Sequence, residues 1–336
     1  MKAITICYGD PETASAKYRF QAYISALKAA GIDLILRYKH EIETICFWND
    51  LKSADLIINQ KCLLPRSLTD RIISLKKPVI FDFDDALWTR PGKPYSCLTQ
   101  LKINHRLHNW LQRSTVITVA NTILRDYVAH FNAKAQVKII PMSLDLSVWC
   151  PSERPKNDSI RVGWAGSPGN LPHLQKLESD LINLLQRRPQ TEICVYSGQE
   201  PRWSIPHQFT PFEPGTEANF VRSLDIGLLP LEDHPYSRGK SPIKAIQYIA
   251  CGKPVVADMF GASQDILNPS NSTQITPNLP WSVALETLID NEQLRRQMGA
   301  AGRKFAEEHF NLKHTALQII ELFQTAQNTY SAPPLK

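Results

Sequence analysis

No stretch of this 336-residue chain approaches the roughly 20 consecutive apolar residues needed to cross a bilayer. The opening MKAITICYGD has a short apolar run with no small-residue cleavage site after it, which argues against a secretory signal. The seven cysteines (Cys7, Cys46, Cys62, Cys97, Cys150, Cys194 and Cys251) form no CxxC pair, and their number is odd. A disulfide framework or a metal cluster is therefore not expected, and they read as small buried apolar residues. RNP, helix-turn-helix and zinc-finger patterns are missing, so no nucleic-acid partner is expected. Internal repeats and low-complexity tracts are absent as well. The expectation is a cytoplasmic protein.

Apolar residues make up 43% of the chain and charged residues 21%, enough for two ordinary soluble cores. The net charge of +6 is unevenly placed. Residues 1–145 carry 20 Lys and Arg against 13 Asp and Glu, and the remainder carries 18 against 19. A basic first half can attract phosphate-bearing acceptors or the anionic inner face of a membrane, and an ordinary solvated surface explains it equally well.

Short apolar runs alternate with amphipathic stretches along the whole chain. The runs at 3–9, 32–38, 54–60, 78–83 and 115–120 read as strands, apolar on both faces and separated mostly by helical segments. That pattern predicts a parallel sheet covered on both sides. The segment 145–158 turns polar and Pro-rich, and the alternation then restarts with strands at 159–167, 192–198, 225–231 and 253–258. The expected fold is α/β, with two Rossmann-like parallel-sheet domains, 1–150 and 151–310, facing across a cleft. The last segment, 311–336, is expected to be a helix returning to the first domain. Parallel sheets bind ligands at the carboxyl ends of their strands, so two such domains suit a reaction between two separately bound substrates.

Three stretches can carry chemistry. In RGKSPIKAIQYIACGKPVVAD (238–258) a helix opens after Ser241 with Pro242 in its first turn, and Arg238, Lys240 and Lys244 surround that start. Free N–H groups, the helix dipole and added cations together suit a diphosphate. Lys240 and Lys244 share a side if the helix begins early, and Gln247, one turn on, can meet a ribose hydroxyl. In IRVGWAGSPGNLPHL (160–174) the order strand, glycine-rich turn, helix brings a phosphate near backbone, with Gly166 and Ser167 as candidates. A tight turn with no ligand is the alternative. In PVIFDFDDALW (78–88) an apolar strand ends in Asp82, Asp84 and Asp85, which are costly to bury unpaired. Asp82-Phe-Asp84 also reads as a metal-binding DxD, Asp82 as the partner of a nearby arginine, and Asp85 as a cap on the following turn. Arg19, opening the first helix, reads either as a phosphate ligand or as an anchor for its loop.

QYIACGKPVVAD (247–258), SLDIGLLPLEDH (223–234), VKIIPMSLDLSVWCP (137–151) and RRQMGAAGRKFAEEHFNLKHTA (295–316) together resemble signature segments of the retaining group 1 glycosyltransferases. The resemblance implies the GT-B fold and transfer of a sugar, with retention, from a nucleotide diphosphate sugar to a glycan, lipid-linked or other acceptor. It implies no metal and no cofactor beyond that co-substrate. Asp84 then stands where relatives often place a histidine near the reacting carbon, and Asp84 and Arg19 become the catalytic candidates. Arg238, Lys240, Ser241, Lys244, Gln247, Gly166 and Ser167 become donor-binding candidates. The family commonly carries two glutamates eight residues apart where this chain has Gly239 and Gln247. That departure keeps a non-catalytic sugar-nucleotide-binding subunit open, beside an epimerase or hydrolase on the same fold.

Overall fold

A computed structural model describes residues 1–152 and 159–331. Part of the expected connecting segment, 153–158, and the last residues of the expected terminal helix, 332–336, lie outside the described residues. The chain forms two compact units. The first comprises 1–143, 234–241 and the segment from 312 onward, and the second comprises 144–233 and 242–311. The division falls at 143/144 because the connecting segment is tied into the second unit. Leu144 N–H donates to the Phe310 carbonyl at 2.9 Å, and Arg303 donates to the Leu146 and Trp149 carbonyls at 3.3 and 2.7 Å.

The first unit is built on six parallel strands, β1 (Lys2–Cys7), β2 (Asp33–Tyr38), β3 (Leu56–Gln60), β4 (Val79–Phe83), β5 (Val116–Val119) and β6 (Val137–Ile139). They are ordered β2-β1-β3-β4-β5-β6. Alternate residues point to opposite faces, and both faces are apolar. Ile4, Ile6, Ile57, Phe81, Phe83 and Ile117 pack under Trp110 and Leu124 on one face. Leu34, Leu56, Ile58, Ile80 and Val116 pack on the other, against Tyr23 and Phe323. Phe323 lies on the terminal helix Leu312–Ser331, so the last part of the chain closes the core laid down by the first.

The second unit repeats the plan with β7 (Ile160–Ala165), β8 (Thr191–Ser197), β9 (Gln208–Pro211), β10 (Ile226–Leu229), β11 (Val255–Ala257) and β12 (Ser272–Gln274). Its order is β12-β11-β10-β7-β8-β9, again all parallel. The winding direction reverses between β1 and β3 in the first sheet and between β7 and β10 in the second. In open parallel sheets the crevice at the carboxyl ends beside such a reversal is where ligands bind. No helix among the described residues is long and apolar enough to cross a membrane.

Candidate functional site

At the carboxyl edge of the first sheet, β4 delivers Asp82, Asp84 and Asp85, β3 delivers Lys61, and the segment after β1 delivers Tyr8 and Ser15. All three carboxylates have cationic partners. Asp82 still lies within β4, in register with Gln60 and Thr118. It accepts from Arg19 through both oxygens and from Thr118 Oγ1 at 2.6 Å. Arg19 also donates to the Ile140 carbonyl and is only 3% exposed. Its guanidinium is thus an internal clamp, out of reach of a phosphate, which decides between the two readings of this residue in favour of the anchor.

Asp84 and Asp85 converge on Lys61. The ammonium lies 2.9 Å from Asp84 Oδ1 and 2.6 Å from Asp85 Oδ2, and it donates to Ser15 Oγ at 2.5 Å. Ser15 in turn donates to Asp84 Oδ2 at 2.5 Å. Asp84 is 1% exposed, so its expected contact with a sugar is not available to the side chain as it stands. Asp85 retains 20% of its side-chain surface and pairs with Lys61 instead of capping the next turn. Lys61 itself has a left-handed backbone, φ +44°, an uncommon conformation for a residue with a Cβ and one that clusters at functional positions.

Opposing terms divide these groups. Burial alone would lower Lys61, but the charges of Asp84 and Asp85 outweigh it and hold the ammonium protonated above the usual lysine range. For Asp84, burial is outweighed by Lys61, the Ser15 hydrogen bond and Arg19, and the carboxyl sits below its ordinary value. For Asp85, burial and the neighbouring Asp84 charge prevail over Lys61 and Lys240, and the carboxyl is pushed up. Two adjacent carboxyls are thereby driven apart, the arrangement that separates a fixed charge from a proton carrier.

The segment 234–241 belongs to this edge. Asn121 Nδ2 donates to the Gly239 carbonyl at 3.1 Å, and Ser241 N–H donates to the Asp84 carbonyl at 3.2 Å. Gly239 is buried so tightly that a Cβ there would lie 2.8 Å from Ala86 Cβ and 3.2 Å from Leu124 Cδ2. No side chain, glutamate included, fits without displacing its neighbours. Burial first, then the charges of Asp85 and Asp84, push the Tyr236 hydroxyl above the ordinary tyrosine range, while the Lys240 ammonium lies 5.9 Å over the Tyr236 ring. Arg238 is exposed.

At the carboxyl edge of the second sheet the helix Ile243–Ala250 starts with Pro242 as its N-cap. Lys240 therefore lies outside it, and Lys240 and Lys244 do not share one helical side. Lys244 pairs with Glu217, at the start of helix Glu217–Arg222, and Gln247 Nε2 donates to the same carboxylate at 3.1 Å. The Tyr248 hydroxyl accepts from Ala165 N–H at 2.9 Å, fastening this helix to the end of β7. In the turn after β7 the Gly166 N–H donates to the Tyr196 carbonyl at 3.0 Å and is already used. Ser167 is exposed, with its hydroxyl accepting from Asn170 Nδ2 at 3.1 Å. Ser167, not the Gly166 amide, is thus the polar group this turn presents.

Lys61, Ser15, Tyr236 and Glu217 were absent from the residues singled out by sequence. Lys61 had one local signal, a lysine directly after the strand Leu56–Gln60 at the sheet's ligand-binding edge. The others are brought in by folding across tens of residues.

Compared with solved structures, the chain superposes along almost its full length on sucrose-phosphate synthase from Thermosynechococcus elongatus. The TM-score is 0.74 at 16% identity, over 96% of this chain and 98% of that one. HepE of Anabaena, solved in complex with UDP, gives a TM-score of 0.68 at 15% identity, over 96% and 99%. This is the GT-B fold. No protein-family model matches the chain. Among curated relatives, it is 26% identical over 246 residues to D-inositol 3-phosphate glycosyltransferase of Paenarthrobacter aurescens, 64% of this chain and 59% of the relative. It is 22% identical over 228 residues to MMP alpha-(1->4)-mannosyltransferase of Mycolicibacterium hassiacum, 63% of this chain and 54% of the relative. The chain thus spans less than two thirds of the length of these two relatives. In sequence it is similar to curated glycosyltransferases, and in fold it is GT-B.

Proposed function

We propose that the protein is a glycosyltransferase that moves a sugar from a nucleotide diphosphate sugar to a glycan, lipid-linked or other acceptor, with retention. The observation that carries this reading is the second sheet. It has the strand order of dinucleotide-binding folds, and Ser167 and the Lys244-bearing helix start both stand at its point of reversal. UDP in the Anabaena HepE complex supports a uridine nucleotide as the first donor to try. In this reading Ser167 and Lys244 meet the diphosphate and Glu217 the ribose, with the buried Gln247 holding Glu217 in place. Charge develops on the leaving diphosphate, and fixed cations there lower the barrier without reorganising. The reaction then needs no cofactor besides its co-substrate. The basic first unit suits an anionic membrane surface as the place where a lipid-linked acceptor is met.

The experiment is binding and turnover with a panel of nucleotides and nucleotide sugars, beginning with UDP, GDP, ADP and CMP ligands. Nucleotide release that depends on an acceptor supports transfer. A changed sugar with no acceptor requirement points to an epimerase, and binding without turnover to a non-catalytic subunit. Lys244→Ala should weaken diphosphate binding by about 1.5–3 kcal/mol, as loss of a charge-assisted hydrogen bond does, and leave nucleoside binding unchanged. Equal loss for nucleoside and diphosphate overturns this placement of the phosphates.

A further inference from the structure

We propose that the first turns of the helix Cys97–Arg113, together with the turn 90–95 before them, form an interfacial anchor that lays the first unit on a bilayer of anionic phospholipid. The inference deepens the reading that a lipid-linked acceptor is met at a membrane, and rests on it for the acceptor alone. Its test needs no sugar donor, so the two can fail separately.

The helix is held from its second half. Leu107, Trp110 and Leu111, at helical spacing, are buried in the core of the first unit. Ser96 caps the other end, accepting from Thr99 N–H at 3.4 Å, so the first turns keep their shape with little core beneath them. On those turns apolar side chains face water. Leu98 is 82% exposed and Leu101 66%. They are three residues apart and share one side. At about 100° per residue, Leu98 lies on the opposite side of the helix from Leu107. Phe131, 44% exposed, carries the apolar surface on, its ring centroid 4.0 Å from that of His108 on the same helix as the leucines.

Charge decides what covers this surface. Residues 86–125 hold six Lys and Arg and no Asp or Glu. Lys93 and Lys102 are exposed, and neither has a carboxylate partner among the described residues. Arg90 folds back, donating to the Lys93 and Pro94 carbonyls at 2.6 and 3.2 Å and lying 4.8 Å over the Tyr95 ring, which fixes the turn that presents Lys93. Asp70 and Asp126, on the helices Arg66–Ile73 and Thr122–Phe131, are spent on Arg113 and Arg125. The leucines are thus flanked by uncompensated positive charge. A leucine with 82% of its surface in water lines no groove, whereas protein partners are gripped by aromatic and arginine anchors in pockets. A bilayer asks for no pocket. Its phosphates take the ammoniums, the lysine stems lie along the surface, and the leucines enter the boundary between headgroups and acyl chains. The anchor lies on the membrane and does not cross it.

Flotation of the whole protein with vesicles of mixed phosphatidylglycerol and phosphatidylcholine, against phosphatidylcholine alone, tests this. Binding should require the anionic lipid and weaken as salt rises. Lys93→Ala combined with Lys102→Ala should weaken it about thirtyfold, at roughly fivefold for each cation near an anionic surface. Leu98→Gln combined with Leu101→Gln should weaken it at least tenfold. All four side chains are exposed, so melting temperatures should stay at wild type. Leu317→Gln, at an exposed leucine of the terminal helix, should bind as wild type does. Amide exchange over 93–105 should slow when vesicles are added. Equal binding to phosphatidylcholine alone, wild-type binding by either double variant, or an equal loss in Leu317→Gln overturns the anchor. A lipid-free dimer in sedimentation that Leu98→Gln with Leu101→Gln abolishes also overturns it, by giving the face to a second copy of the chain. Vesicle binding with these dependences, in a protein that releases nucleotide from no sugar donor, defeats the transferase reading and upholds the anchor.

Discussion

Arg19 and Asp82 form a two-oxygen ion pair in the interior of the first unit, with 3% and 1% of their surfaces exposed. Removing one partner of a buried pair leaves an uncompensated charge, which costs about 3–5 kcal/mol. Arg19→Leu should therefore destabilise the protein on that scale. The double variant Arg19→Leu with Asp82→Leu should recover a large part of the loss, because no lone charge remains. Chemical denaturation of both variants checks this, and a double variant no more stable than the single one contradicts it.

Gly239 stands where the family commonly has a glutamate, and the position has no room for one. Gly239→Ala should cost about 1–3 kcal/mol by overpacking against Ala86 and Leu124, despite the gain from removing a flexible glycine. Gly239→Glu should destabilise further and give no gain in nucleotide affinity. Melting curves and UDP titrations read the two effects separately, and a tighter-binding Gly239→Glu would show that the pocket opens readily.

The network around Lys61 also predicts a pH dependence of stability. Asp84 is held below its ordinary 3.8 in the folded protein. A depressed folded value means that its contribution is fully present above 3.8 and is lost as pH falls through the folded value. Lys61 is raised above 10.5, so its contribution is full below that pH and is lost as pH climbs through the folded value. Asp84→Asn should thus cost about 1.5–3 kcal/mol at neutral pH, the scale of a hydrogen bond to a charged group. The difference from wild type should shrink in strong acid. A difference that is constant from pH 7 to 2 would show that the charge of Asp84 contributes nothing.

Chelation addresses the DxD reading. Asp82 and Asp84 spend their charges on Arg19 and Lys61. EDTA should leave turnover within about twofold, since positioned cations can do the electrostatic work of a metal at the leaving group. Full loss, restored by Mn2+ or Mg2+, would require these pairs to open and bind metal.

The two parallel sheets were legible because buried parallel strands write themselves as apolar runs on both faces, as VIF and ITV do. The acidic end of β4 was legible for the opposite reason, three charges against an apolar strand. That Asp82 pairs with an arginine was among its readings, but which arginine, and the partners of Asp84 and Asp85, were not legible, because they lie far along the chain. Asp82 takes Arg19, 63 residues away, and Asp84 takes Ser15, 69 residues away. The cationic helix opens after Ser241 as read, but with Pro242 as its N-cap it does not begin early enough to take in Lys240, which ends in the company of Tyr236.

The chain crosses between its two units after residues 143, 233, 241 and 311. Two bodies joined by one linker can be separated by a single cut, and each can keep its shape alone. Here that route is closed. A fragment ending near the first crossing would lack the strap that carries Gly239 and the helix that carries Phe323, and would expose the apolar face they cover. The first unit is thus finished only when the last helix arrives. During synthesis it must wait, half-built, while the whole second unit emerges.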